Sequence, residues 1–414
     1  MNDRLFPETG LTPEDVKQAL LAAKAGDIDW RTGRTPMYVF YAGEEAYGVT
    51  KDAFNLYFTE TALAAKAYPS LRRFESEVVR MAAEILGGND DTTGSMSSGG
   101  TESIFLAVKT ARDHARAERK LQGRPALVMA ETAHPAFDKA AHYMDLDVIR
   151  VKMRGDYRAD VDALAKAIDA RTLMLVGSAP CFPFGVVDPI TEIARLAAAR
   201  GVWMHVDACV GGFLAPFVKK LGHPMPDFDL SVPGVWSLSA DLHKLGFSAK
   251  PASVILYRDA ALHRHQGFRF EDWPRGLYEV PTFTGTRPGG AIAAAWATLK
   301  HLGTSGYTDI ARRIMSVRQR LQTGITAIPG LKLIGDPELC IFSYGADGLD
   351  VAAIADGLTD KGWLVGRNAR PPAIHVMLTP VHEAMVEDYL RDLREVAERV
   401  RSGALTTRGV AATY

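Results

Sequence analysis

Lys244 closes the stretch Ser239-Ala240-Asp241-Leu242-His243-Lys244, which lies between an apolar segment and the apolar run 252–257. Two β-rich runs joined by a short polar turn place the lysine on the connection between two core strands. An ammonium is strongly hydrated, so one sequestered there needs a partner or loses its proton. A neutral amine attacks carbonyls, and the chemistry it suits is a Schiff base with an aldehyde cofactor, of which pyridoxal phosphate is the common one. Taken alone, the His-Lys pair reads more simply as a lysine snorkelling to the surface from a strand end.

Three further stretches bear on that choice. Thr93 to Ser103 is a Ser/Gly/Thr-rich turn, with Gly100 and Thr101 at its end, feeding a helical run over 104–119. Unpaired N–H groups and the positive end of a helix dipole suit a phosphate there; an ordinary capped loop is the plainer alternative. His134 follows an apolar strand over 126–130 and could stack on a planar cofactor, or be a loop residue bonded to backbone. Asp207 follows a strand over 202–206 and could hold the protonated nitrogen of a pyridine ring, or cap the next helix. A second Gly-rich turn, Thr282 to Gly290, opens a small-residue helix and is another candidate phosphate cradle.

The elements that must hold these residues alternate. Strands are predicted over 126–130, 148–152, 173–176 and 202–206, with helices over 135–143, 161–168 and 190–199 between them. Such alternation argues an open, largely parallel α/β sheet covered on both faces, with ligands outside the carboxyl ends of its strands. The reading divides the chain into an arm over 1–50, containing an amphipathic helix over 12–25 that packs on another body, a large domain over 51–303 and a small C-terminal α+β domain over 304–414. Helices are predicted over 51–63, 70–86, 291–302 and 310–328, with a hinge at 303–306. The small domain is read as strands 332–334, 340–344, 363–366 and 374–378 with helices 351–361 and 381–401, and the tail 406–414 as mobile.

With 414 residues and 47% hydrophobic content, the chain can bury a sizeable core. Its 48 basic and 49 acidic residues are interspersed and give a formal net charge of −1, which offers no footprint for nucleic acid or an anionic membrane. Cys181, Cys209 and Cys340 are far apart and lack metal-ligand spacing, so no metal is expected and the thiols fit a reducing compartment. Neither a long apolar span nor a signal-type leader is evident, and a soluble cytoplasmic protein is expected.

Five motifs in order resemble the group II pyridoxal-phosphate-dependent decarboxylase family and, within it, the sphingosine-1-phosphate lyases. They are Ser98-Gly99-Gly100-Thr101-Glu102-Ser103; Ala133 to Tyr143; His205-Val206-Asp207-Ala208-Cys209 through Leu214; Ser239 to Lys244; and Gly285-Thr286-Arg287-Pro288-Gly289-Gly290. The resemblance spans residues 68 to 390. It implies a fold-type-I α/β enzyme, with a mostly parallel sheet in the large domain, acting as a homodimer with sites at the subunit interface. Lys244 would carry pyridoxal 5′-phosphate, His134 would stack on its ring and Asp207 would pair with its nitrogen. Gly100, Thr101, Ser239 and His243 would surround the phosphate, with Gly285 and Thr286 supplied by the partner subunit. The implied reaction is retro-aldol cleavage of a phosphorylated sphingoid base, joined to the cofactor as a Schiff base, into a long-chain aldehyde and phosphoethanolamine. Decarboxylation of glutamate, aspartate or an aromatic amino acid is the alternative.

The substrate-phosphate residues match unevenly. Lys250, six residues beyond Lys244, matches a lysine that contacts that phosphate in the lyases. Ala64 stands where the lyases carry a histidine, and Lys66, two residues on, is the cation available to replace it. The aromatic residues Tyr38, Tyr41, Phe182 and Phe184 are candidates for a substrate channel, although aromatic residues are more often core.

Overall fold

Short runs buried on both faces form the centre of the main sheet. The computed structural model describes residues 5–64, 66–119, 121, 123–409 and 412. Its seven strands are β1 (Thr93–Ser97), β2 (Ala126–Ala130), β3 (Asp147–Val151), β4 (Thr172–Ser178), β5 (Trp203–Asp207), β6 (Ser237–Ala240) and β7 (Ser253–Tyr257), in the order β1-β7-β6-β5-β4-β2-β3. Neighbours from β6 to β3 pair in parallel, while β7 is antiparallel to both β6 and β1. Successive residues of β2 face opposite ways, so Val128 and Ala130 join one hydrophobic cluster and Leu127 and Met129 the other. A strand covered on both sides carries no polar alternation, which is why β2 and the centre of β4 read as plain apolar runs and β5 as one interrupted by the buried His205.

Register sets the site. Ser178 lies opposite Asp207 across β4 and β5, and Asp207 opposite Ser239 across β5 and β6. Their carboxyl ends therefore stand level, and the chain leaving β6 runs through Asp241, His243 and Lys244 before returning in β7. That loop is pinned at its base, where His243 N donates to Ala252 O at 3.0 Å and Ala252 N to His243 Nδ1 at 3.1 Å.

After the exposed hairpin of β8 (Phe268–Phe270) and β9 (Tyr278–Val280), a helix spans Gly289–Thr326 with a break at Gly303. It leads to an antiparallel sheet of β10 (Leu331–Ile334), β11 (Ile341–Ala346), β12 (Gly366–Ala369) and β13 (Pro372–Met377), ordered β10-β11-β13-β12. One core runs through both sheets and the long helix, joining Leu175, Val206 and Leu238 to Ile310, Ile341 and Ile374.

Several elements differ from the sequence reading. Thr93–Ser97, read as loop, is an edge strand, and Gly94 permits it: a Cβ there would lie 2.3 Å from the Ile255 carbonyl oxygen across the pair. The strand expected over 363–366 falls instead at β12; Trp363 is a core anchor, with Nε1 3.0 Å from Asp392 Oδ2. The helix expected over 51–63 is Glu44–Leu56, and the last helix is Val386–Arg401, preceded by a 3₁₀ turn over Pro380–Met385. The arm helix Pro13–Lys24 buries none of its residues, but the following stretch docks on the chain's own C-terminal part: Leu364 N donates to Arg34 O and Met377 N to Pro36 O. In the tail, Thr407 and the backbone N–H of Arg408 bond Asp356; residues 410, 411, 413 and 414 lie outside the described set.

Candidate active site

A cavity of about 300 Å³ opens at the carboxyl ends of β4, β5 and β6. Gly100, Thr101, His134, Asp207, His243 and Lys244, singled out from far-apart stretches of sequence, all line it. The helix Gly100–Glu118 begins at its wall with Gly99 as N-cap and no side-chain cap, so its first N–H groups are free for an anion. Only glycine fits at position 100. A Cβ there would come within 2.8 Å of both Asp241 Oδ2 and Cys209 Sγ. Glu102 braces the turn: its carboxylate accepts from Ser98 N at 2.6 Å and Phe283 N at 2.9 Å.

His134 is presented by the turn after β2. Its Nδ1 accepts from Ala136 N at 3.1 Å, which leaves the ring proton on Nε2, and burial lowers its pKa from the ordinary histidine value. Arg150 on β3 clasps this turn: Nη1 donates to the carbonyls of Ala130, Glu131 and Ala133, and the other guanidinium nitrogens pair with Asp138. Asp207 is 8% exposed, and its Oδ1 accepts from Cys209 N at 3.1 Å.

Lys244 has the partner its burial demands. Its Nζ lies 2.9 Å from Oδ2 of Asp241, a residue only 2% exposed that the sequence reading passed over. Apart from that ion pair, neither oxygen of Asp241 has a hydrogen-bonding partner among the described residues. Burial pulls the ammonium pKa down, but the facing Asp241 carboxylate outweighs it and holds Lys244 above the ordinary lysine value. Without the cofactor the lysine is therefore charged, not the neutral amine that one branch of the sequence argument expected.

Other expected site residues lie outside the cavity in the single chain. Ser239 is fully buried behind it, its Oγ 3.2 Å from His205 Nε2 and 3.3 Å from Cys209 Sγ. Gly285 and Thr286 stand on the segment leading to the long helix and line neither this cavity nor its larger neighbour. Lys66 is exposed, beside a residue outside the described set. Lys250 lies nearer: its ammonium is 5.7 Å from the ring centroid of Phe40, and its charge is felt at His243.

The larger neighbour, about 890 Å³, shares His134 and Phe182 with the first cavity. Its walls include Met37, Tyr38, Phe184 and Met153, with Lys152, Arg367 and Arg370 also lining it. Of the channel candidates, Tyr38, Phe182 and Phe184 line it, whereas Tyr41 packs on Trp30 at 5.1 Å.

Residues 31–345 match the family model described as the pyridoxal-dependent decarboxylase conserved domain. The chain belongs to this family. As a pyridoxal-dependent decarboxylase family member it is a pyridoxal-phosphate-dependent lyase of fold type I. It is 40% identical over 419 residues to a sphingosine-1-phosphate lyase of Arabidopsis thaliana, covering 99% of this chain and 76% of that protein. The solved structure of a sphingosine-1-phosphate lyase from Burkholderia pseudomallei superposes with a TM-score of 0.93 at 37% identity, covering 97% of this chain and 94% of the other. A probable L-tyrosine/L-aspartate decarboxylase of Methanothermobacter thermautotrophicus is 35% identical over 329 residues, 79% of this chain and 88% of that protein.

The cavity fits pyridoxal phosphate on its own chemistry. It combines a lysine amine for the aldehyde, an uncapped helix start kept open by Gly100 for the phosphate, a strand-end carboxylate, and an imidazole with its Nδ1 tied back. Among the described residues no helix is long and apolar enough to cross a membrane.

Proposed function

We propose that the chain cleaves the bond between the amine-bearing and hydroxyl-bearing carbons of a phosphorylated sphingoid base, releasing a long-chain aldehyde and phosphoethanolamine. The observation that carries this reading is the 40% identity to a sphingosine-1-phosphate lyase over 99% of the chain. The 890 Å³ cavity beside the cofactor cavity supports it: Met37, Tyr38, Phe182 and Phe184 give it apolar wall for a long chain, alongside the charged Lys152, Arg367 and Arg370.

In this reading Lys244 binds the cofactor aldehyde, Asp207 pairs with the ring nitrogen and His134 covers the ring face. Gly100, Thr101 and His243 hold the phosphate, backed by Ser239. Bound there, pyridoxal phosphate supplies an electron sink for the pair released when a bond at the amine-bearing carbon breaks. The residues of the chain do the rest. Asp207, only 8% exposed and fixed by Cys209 N, would be the carboxylate set against the ring nitrogen. His243, whose Nδ1 accepts from Ala252 N, carries its proton on Nε2 and presents it as a donor to an anion. Lys244, when its amine is free, would be within reach to move protons at the reacting carbon. Lys250 serves the substrate phosphate, with Lys66 as a second cation in place of the histidine lost at Ala64.

The unburied helix Pro13–Lys24, with Leu20 and Leu21 exposed, and the aromatic hairpin of β8 and β9, with Phe268 and Trp273 exposed, support a homodimer. In that dimer Gly285 and Thr286 reach the partner's site. The division at residues 50 and 303 and a cytoplasmic location belong to the same proposal. It is tested by giving purified, cofactor-loaded protein sphingosine-1-phosphate, with parallel incubations on glutamate, aspartate and aromatic amino acids. Stoichiometric aldehyde and phosphoethanolamine bear it out; carbon dioxide without aldehyde overturns it in favour of a decarboxylase.

A further inference from the structure

Asp241 takes no part in the proposed reaction, yet it lines the cofactor cavity beside Lys244. Its side chain is only 1% exposed, faces the Lys244 ammonium at 2.9 Å and lies 3.8 Å from His243 Nε2. Gly100 presses on it from the helix side, where no larger residue fits. No hydrogen bond ties either oxygen elsewhere among the described residues. A carboxylate built only to stabilise the fold would be expected to carry such bonds, as Asp188 does to Ala159 N and Ser178 N, both at 2.8 Å. Asp241 is three residues before Lys244 on a pinned turn, so the pair is set by the local backbone and needs no movement of the fold to form.

We propose that Asp241 is the resting place of the Lys244 amine whenever that amine is not bonded to the cofactor. It is a positioning residue that keeps the released lysine charged, close and in one orientation. The inference rests on the reading that Lys244 carries the cofactor. Its chemical consequence is a lysine that waits as a proton donor, not as a free nucleophile competing with the substrate amine. The groups facing the ammonium are Asp241, Asp207, His243, His134 and Cys209. Burial lowers the pKa of both histidines, keeping them neutral, and raises that of the Cys209 thiol, keeping it protonated. That leaves the two carboxylates to hold the charge, and Asp241 is the one in contact.

The test uses cofactor-free protein and does not depend on turnover. Each lysine is labelled with limiting acetic anhydride across pH 6 to 11, and labelling is followed peptide by peptide. In the wild type, Lys244 is expected to reach half-maximal labelling at or above the pH of the exposed Lys166. In Asp241→Asn the midpoint falls by about two units or more, the size expected when a buried ammonium loses its one contacting counter-charge. Asp241→Glu restores a high midpoint. A Lys244 midpoint unchanged in folded Asp241→Asn overturns the proposal. Should that variant not fold, a wild-type midpoint below that of Lys166 overturns it and one at or above supports it. Borohydride reduction of the loaded enzyme that labels a different lysine would instead overturn the assignment of Lys244, a result separable from either midpoint.

Discussion

Replacing Gly100 by alanine places one methyl group where the helix start, Asp241 and Cys209 meet. The new Cβ lies 2.8 to 2.9 Å from both carboxylate oxygens of Asp241 and from Cys209 Sγ, well inside van der Waals contact. Neither neighbour is a flexible surface chain: Asp241 is 2% and Cys209 7% exposed. The helix start must move instead, and overpacking of this kind costs roughly 1–3 kcal/mol of stability. Its N–H groups move with it. Losing one hydrogen bond to a charged phosphate costs about 1.5–3 kcal/mol, so the Kd for pyridoxal phosphate should rise about 10- to 150-fold. Cofactor titration followed by absorbance reads the Kd, and thermal unfolding reads the stability. Gly324→Ala is the control, since its Cβ would meet Leu390 far from the cavity; it should lower stability and leave cofactor affinity alone. Should Gly100→Ala lose stability while its Kd stays within threefold of wild type, the phosphate does not sit at this helix start.

Two further outcomes follow from the geometry and the charges. Lys250→Ala is expected to raise KM for the phosphorylated substrate by tenfold or more with little change in kcat; equal KM values would remove Lys250 from the substrate site. Burial lowers both His205 and His375 from the ordinary histidine value to about 4. Both are neutral in the folded chain, so their stability contribution is complete above the unfolded pKa of about 6.5 and falls away as pH drops towards 4. At pH 5 each should cost about 2 kcal/mol relative to pH 7.5, and urea midpoints should fall accordingly; His375→Gln should lose part of that dependence.

Legibility in the sequence followed burial pattern. Strands β2, β4 and β5 stood out because strands covered on both faces are mostly apolar, without polar alternation, even where β5 carries the buried His205. β1 and β12 did not, because Thr-Gly-Ser-Met-Ser and Gly-Arg-Asn-Ala carry no apolar signal; β7 and β13 supply the pairing. The Trp363-Leu364-Val365 run misled because a core anchor and a strand have the same composition over three residues.

The site divides in the same way. Gly100, Thr101, His134, Asp207 and Lys244 were candidates by position at strand ends, a turn and a helix start, the place of His243 came from the resemblance, and all six line one cavity. Asp241 was missed although a buried lysine requires a partner, since which acid serves is decided by the turn between β6 and β7, not by any periodicity. Arg150 was missed because its role is to bond three carbonyls of a turn some twenty residues away. Gly285 and Thr286 were placed at the site by resemblance and Lys66 as the cation nearest the departure at Ala64, and one chain alone does not bring them to the cavity.

Lys244 is the centre of the site, and the most direct measurement is borohydride reduction of the cofactor-loaded protein followed by peptide mapping. A reduced pyridoxyl group on the peptide containing Lys244, absent from Lys244→Ala, is the predicted result. The same group on another lysine, or a borohydride-reducible chromophore retained in Lys244→Ala, would contradict the site described here.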